Sequence, residues 1–209
     1  MQQIDLKSDI KIERIMNIIK SIDSECKCLE SYFHKQFELM EEAVAEEATY
    51  PIDVEDADAE ESQASYHGYS HLIKPSMVMN IYSLLDFRTL EICNYQKINK
   101  KLDSTYNDIK RKNDIKGKND FQTYHNYLTK YAGVNLDTAT SSYNQIQFLR
   151  EVRNIFIHKG GYVPADKTIK FSSKKGVTLG ILNLINIEDD FIWDILEDTR
   201  KYLHTAAIV

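Results

Sequence analysis

The sequence predicts a mostly helical protein with a small β-hairpin inserted before its last helix. Three observations predict it. Chain-breaking residues are scarce, with 7 glycines and 3 prolines among 209 residues. Apolar residues recur at helical spacing in several long stretches. Strand-like runs are confined to about 168–187. With 43% hydrophobic and 28% charged residues the composition is that of an ordinary globular protein, and the length suits one domain with an extension.

Residues 9–47 read as one long helix. Ile12, Ile15, Ile19, Ile22, Cys26, Leu29, Phe33 and Met40 follow a 3-4-3-4 spacing, with Gln36 in the remaining slot and Phe37 beside it. A stripe of that length must be buried, either against the chain's own domain or as a coiled-coil or hairpin seam with a second copy. Residues 49–68 read as an acidic linker. Pro51 stops the helix, and Asp53, Glu55, Asp56, Asp58, Glu60 and Glu61 follow closely. The plain reading is a flexible solvated strip; the functional one is a nucleic-acid mimic or a docking strip for a basic partner.

From 69 onward the pattern is that of a helical domain. Its first helix is expected to begin near Pro75, a residue suited to a first helical turn. It runs through Met77, Ile81, Leu84, Leu85, Arg88 and Ile92 to about Lys101. Asp86 interrupts its apolar surface and either meets an arginine or faces water, since a buried acid needs a partner. Residues 102–115 read as a polar helix, 116–120 as a loop and 121–131 as a short helix. Lys97, Lys100, Lys101, Lys110, Arg111, Lys112, Lys116 and Lys118 make this the most basic part of the chain, with Tyr106, Tyr124, Tyr127 and Tyr131 among or just after them. Two readings stand: a solvated helix face, or an RNA-binding surface on which Lys110, Arg111 and Lys112 track phosphates while tyrosines stack on bases.

Thr140, Ser141 and Ser142 offer N-caps for a helix whose apolar face is Ile146, Leu149, Val152 and Phe156. Two strands follow, 168–172 and 177–187, joined by Ser173-Lys174-Lys175-Gly176. Asn186 then caps a last helix with Glu188, Asp189 and Asp190 at its start and Arg200, Lys201 and His204 near its end, as the helix dipole prefers.

The formal charge of −6 argues against a general nucleic-acid coat but leaves room for a local basic groove. Three cysteines, Cys26, Cys28 and Cys93, form an odd set, and with no secretory signal they favour reduced thiols and a cytoplasmic setting. The spacing of Cys26 and Cys28 is not that of a zinc site. No apolar run approaches the roughly 18 residues that span a membrane.

The chemistry concentrates in Arg150-Glu151-Val152-Arg153-Asn154-Ile155-Phe156-Ile157-His158-Lys159-Gly160-Gly161. Asn154 and His158 are four apart and share a face, about 40° apart around the axis, and Arg150 joins the same stripe one turn earlier. Arg153 lies about 140° from His158, so the two converge only through arginine's reach, or across a groove formed with a second copy. Arginine offers a fixed fork of donors for phosphate oxygens, and histidine gives or takes a proton near neutral pH. Together they suffice for RNA cleavage without metal. The pair by itself reads first as a capping histidine and a surface arginine.

The Arg-Asn-x-x-x-His pattern of Arg153, Asn154 and His158, preceded by Leu-Arg-Glu-Val and followed by Lys-Gly-Gly, resembles the signature helix of the HEPN superfamily. Asn80-Ile81-Tyr82-Ser83-Leu84-Leu85-Asp86 is similar to the earlier core helix of that family, where an acid often supports the site; Asp86 takes that place. The resemblance covers about 70–205 and implies a HEPN-like four-helix bundle, to which the long N-terminal helix, the acidic segment and the hairpin are additions. It implies a metal-independent endoribonuclease, with no cofactor, active as a homodimer through the signature helix. The products would carry 2',3'-cyclic phosphate and 5'-OH ends. Such proteins act as toxins paired with an antitoxin partner or as antiphage-defence effectors. The alternative is a non-catalytic HEPN-like domain that binds nucleotide or a partner, or a helical adaptor working through its heptads.

Overall fold

The computed structural model describes residues 6–49, 58–110 and 115–208. Among them are seven α-helices and one two-stranded antiparallel hairpin: α1 (Leu6–Thr49), α2 (Asp58–Asn99), α3 (Tyr106–Ile109), α4 (Asp120–Asn126), α5 (Thr140–Lys159), α6 (Thr168–Ser172), β1 (Val177–Leu179), β2 (Ile185–Ile187) and α7 (Asp189–Ala207). The mostly helical class and the hairpin before the last helix are as the sequence predicts. No helix among the described residues is long and apolar enough to cross a membrane. Of the acidic segment, residues 50–57 lie outside the described residues.

The chain forms two compact units, and α1, α2, α5 and α7 each contribute a stretch to both. The first unit takes residues up to Cys26, Ile81–Arg150 and the chain from Ile195 on. Ile22, Cys26, Ile81, Leu85, Ile92, Ile146, Leu149 and Leu203 are fully or almost fully buried in it, around the large rings of Phe121, Tyr127 and Tyr202. Polar contacts join its helices. Arg88 pairs with Glu25, Asp23 lies 2.9 Å from His204, and the Ser142 hydroxyl donates to Asp198 at 2.7 Å.

The second unit takes Lys27–Asn80 and Glu151–Asp194. Phe33, Met40, Met77, Val78, Val152, Phe171, Ile187 and Ile192 are buried in it. Trp193 of α7 is ringed by Phe33, His34 and Phe37 of α1, with His34 stacked at 4.6 Å. Lys74 of α2 pairs with Asp189 at the start of α7, 2.8 Å apart. The α1 stripe is thus buried within the chain at Ile18, Ile22, Cys26, Phe33 and Met40, while Ile12 and Met16 stay exposed.

Several local expectations are overturned. The second helix begins at Asp58, not near Pro75, which sits inside it. A proline there removes one backbone donor, and the Ser76 hydroxyl donates to the Ile73 carbonyl close by. Of the polar helix expected over 102–115, residues 111–114 lie outside the described residues, and within the described part only α3 is helical. Lys101 leaves α2 at φ 52° and Thr105 caps one turn, pinned by buried Tyr106 and Ile109. Residues 168–172 form α6 rather than a strand: a strand would put Ile169 and Phe171 on one face, whereas Phe171 is buried and Ile169 exposed. Both strands come from the 177–187 run, which reverses through Leu182 and Asn183, each at φ 59°. Asn186 is consequently a strand residue paired with Thr178, not a helix cap. Thr140 and Ser142 do not serve as N-caps either. A 3-10 turn, Asp137–Ala139, leads directly into α5, and the Asn135 side chain accepts from Asp137 N–H at 2.8 Å.

Gly176, at φ +77°, lets the hairpin close on α7. Its carbonyl accepts the Glu188 N–H at 3.0 Å, and an added Cβ would lie 2.8 Å from Phe191 Cβ and 3.1 Å from Phe191 N and Cα. Backbone atoms cannot yield as a flexible side chain does. Gly176→Ala is expected to cost about 2–4 kcal/mol, the sum of left-handed strain and overpacking, seen as a lowered thermal midpoint.

His125 of α4 brings a pH term to the first unit. Its Nδ1 lies 3.3 Å from the Tyr202 hydroxyl, and its ring packs on Tyr143 at 4.1 Å. Burial, with the Lys130 charge behind it, lowers its pKa below the usual 6.5. The unfolded chain therefore binds a proton near that pH while the folded chain resists it. The stabilising effect is complete above pH 6.5 and is lost as the pH falls through the window below it, down to the depressed folded value. His125→Gln is expected to flatten the decline in thermal midpoint measured from about pH 7.5 to about pH 5.

Candidate active site

The apolar face of α5 is buried through Ile146, Leu149, Val152 and Ile155, with Phe156 half-buried. That burial fixes the helix's rotation, so Arg150, Asn154 and His158 fall on the side away from the core. Arg150 and Asn154 are half-buried and His158 is exposed. Among the described residues neither Arg150 nor His158 makes a hydrogen bond or ion pair.

Arg153 and Asn154 are brought together: the guanidinium Nη1 donates to the Asn154 side-chain oxygen at 3.0 Å. The bond presets the arginine fork beside the Asn154–His158 face instead of leaving it to swing free. Glu151, on the same helix, is occupied by Lys170 of α6, whose Nζ lies 2.6 Å from both carboxylate oxygens.

The end of α5 is built to stop where His158 sits. Gly160 and Gly161 have φ values of +55° and +89°, a left-handed pair that ends the helix. Their N–H groups donate to the carbonyls of Phe156 and Ile155 at 3.2 and 3.3 Å. The exit strand is then stapled to the hairpin. The Gly161 carbonyl accepts Ile185 N–H at 2.9 Å, Val163 N–H donates to the Asn183 carbonyl at 3.0 Å, and Tyr162 bridges Leu184. The hairpin thus fixes the terminal turn that carries His158, a role that nothing in its own sequence signals.

Asp86 lies in the first unit and is exposed on α2; its charge acts on the Tyr106 and Tyr124 phenols. The α2 arginine with carboxylate partners is Arg88, which holds Glu25 and Glu91.

Of the expected RNA-binding residues, Lys110 is exposed, 6.0 Å over the Tyr106 ring, while Arg111 and Lys112 lie outside the described residues. Tyrosine stacking on bases is corrected for three of the four rings. Tyr106, Tyr124 and Tyr127 are buried, with Tyr106 and Tyr124 stacked on each other at 4.3 Å. Burial first, and nearby acids after it, push the Tyr106 and Tyr124 phenols far up. They are core groups because each ring buries a large apolar area that no aliphatic neighbour replaces. Lys101, Lys110, Lys116 and Lys118 stay exposed, while Lys97 and Lys100 are half-buried.

Cys28 is exposed, and Cys26 and Cys93 are buried; burial pushes the Cys93 thiol well up, which makes it a poor nucleophile. Among the described residues no group of three or more His, Cys, Asp or Glu side chains is placed to hold a metal ion. No family model, curated protein or solved structure matches the chain.

Proposed function

We propose that the protein is a metal-independent endoribonuclease of the HEPN-like four-helix type, working through the end of α5. The observation that carries the reading is an exposed His158 on one face with Asn154, whose side chain holds the Arg153 fork. A helix needing only a cap at this point has no use for an arginine fork held beside it. In the proposed reaction His158 takes the proton of a ribose 2'-OH. The freed oxygen attacks the adjacent phosphorus, and the P–O5' bond breaks as the 5'-oxygen takes a proton. The products are 2',3'-cyclic phosphate and 5'-OH ends. Arg153 stabilises the added charge on the phosphorane, and Arg150 lies one turn earlier on the same helix. Because Arg153 and His158 lie about 140° apart on the helix, the site is completed in a homodimer with the two α5 helices facing each other. The role proposed is that of a toxin or antiphage effector restrained by a partner protein.

Purified protein incubated with total RNA in EDTA tests this. Cleavage that survives chelation and leaves cyclic phosphate ends supports it. Intact RNA, or cleavage only after divalent metal is added, removes the proposal and leaves the non-catalytic HEPN-like adaptor.

A further inference from the structure

The hairpin of the second unit has an outward face that the proposed chemistry does not use. From Leu184 to Ile187 burial alternates: Ile185 and Ile187 point inward, Leu184 and Asn186 outward. Residues opposite each other across antiparallel strands share a face. Tyr162 stands opposite Leu184 and Thr178 opposite Asn186, and both are exposed. The loop closing the hairpin adds Ile181 and Leu182, 86% and 77% exposed.

Among the described residues neither backbone nor burial favours a leucine at 182. Its φ of 59° is left-handed, which costs a leucine about 1–2 kcal/mol. Its side chain meanwhile stays in water. Asparagine tolerates that conformation better, and Asn183 adopts it next door. Covering one such leucine gains about 1.5–3 kcal/mol, enough to offset the strain.

Charge and area indicate what covers it. Residues 176–187 contain no Asp, Glu, Lys, Arg or His, so a strongly charged partner finds no complement there. The chain carries a formal charge of −6, and two copies repel each other through their charged surfaces. An uncharged face is where they approach at least cost. A two-fold contact sets a patch against itself, and an apolar patch is complementary to its own copy. Tyr162, Ile181, Leu182 and Leu184 offer roughly 400 Å² of apolar surface. That is about half of the roughly 800 Å² per partner in a standard interface, a share suited to its apolar centre. Thr178 and Asn186 supply polar groups beside it.

We propose that this hairpin face docks on the same face of a second copy of the chain. The Gly161 carbonyl and Val163 N–H are bonded to the hairpin, so the contact brings the α5 end of each copy to the edge of the shared interface. That consequence for cleavage rests on the ribonuclease reading; the dimer itself does not.

Sedimentation of the full chain from about 1 to about 100 µM tests the contact. The parent is expected to dimerise reversibly. Leu182→Asn is expected to weaken the dimer at least about tenfold, through the lost apolar burial. The same variant is expected to keep or raise the thermal midpoint of the dilute monomer, because asparagine accepts the left-handed turn, so a folding defect cannot account for the loss. Ile181→Asp is expected to weaken the dimer further, since each new charge faces its own copy. His158→Ala is expected to dimerise as the parent does. A dimer weakened by Leu182→Asn, beside RNA left intact in EDTA, supports this contact and removes only the ribonuclease reading. A parent that stays monomeric throughout overturns the proposal. So does unchanged dimer affinity in Leu182→Asn or Ile181→Asp.

Discussion

Arg153→Ala and His158→Ala are each expected to lower RNA cleavage by at least about a hundredfold, the range for removing a positioned proton-transfer group or a charge-stabilising donor. His158 is exposed and makes no hydrogen bond or ion pair among the described residues, so its loss is expected to change stability by less than about 0.5 kcal/mol. Arg153→Lys is expected to be nearly as inactive as the alanine variant, because lysine keeps the charge but loses the fork that meets both a phosphate and Asn154. Mixing the two alanine variants asks where the site is assembled. If Arg153 of one copy works with His158 of another, the mixed dimer contains one intact site and cleavage returns in part. If each chain holds a whole site, the mixture stays inactive. A folded, dimeric His158→Ala protein with undiminished cleavage would sink the mechanism, whichever way the mixing turns out.

The largest stability effect is expected at Arg88. Its side chain is 7% exposed. It donates through Nε to Glu25 at 2.7 Å and through Nη2 to the Ser21 hydroxyl at 2.6 Å, and it pairs with Glu91 on its own helix. Hydrogen bonding to Glu25, set against burial, raises its pKa further, so it stays charged at any usable pH. Removing one member of a buried pair costs about 3–5 kcal/mol when the remaining charge is trapped. Here Glu25 and Glu91 side chains are 41% and 39% exposed, so water takes part of the load. Arg88→Leu is therefore expected to cost about 2–4 kcal/mol, a fall of about 5–15 °C in thermal midpoint for a chain of this size. Adding Glu25→Gln to Arg88→Leu is expected to recover part of the loss, because one uncompensated carboxylate disappears with it. A shift of less than about 1 kcal/mol for Arg88→Leu would mean that α1 and α2 are held by their apolar contacts alone.

What was legible in the sequence is what short-range pattern determines. The extent of α1, the apolar face of α5 and its stop at Gly160-Gly161 all follow from residue spacing and backbone preference within a few turns. They place Asn154 and His158 on one face without any knowledge of the rest of the chain. The identity of the hairpin strands was not legible in this way. The runs at 168–172 and 177–187 look alike locally, and the choice between helix and strand fell to Phe171, which is buried alone. Pro75 misled for the same reason: it is a common helix start, and here a longer helix carries it.

Three matters were decided by tertiary structure alone. The tyrosines beside the lysines are core rings, because apolar area is removed from water wherever packing allows, whatever charges lie next in sequence. Arg88, rather than the partner expected for Asp86, became the buried cation, because Glu25 and Ser21 arrive from a helix more than 60 residues away. A cavity beside His125 exists only because residues 134–137, from the segment before α5, come to line it with α4. The sequence by itself determined which helix carries Arg153, Asn154 and His158 and which way that helix faces, since a period of 3.6 residues is a local property. Which groups are buried, paired or left open around it depends on contacts between distant segments, and those were set only when the chain folded.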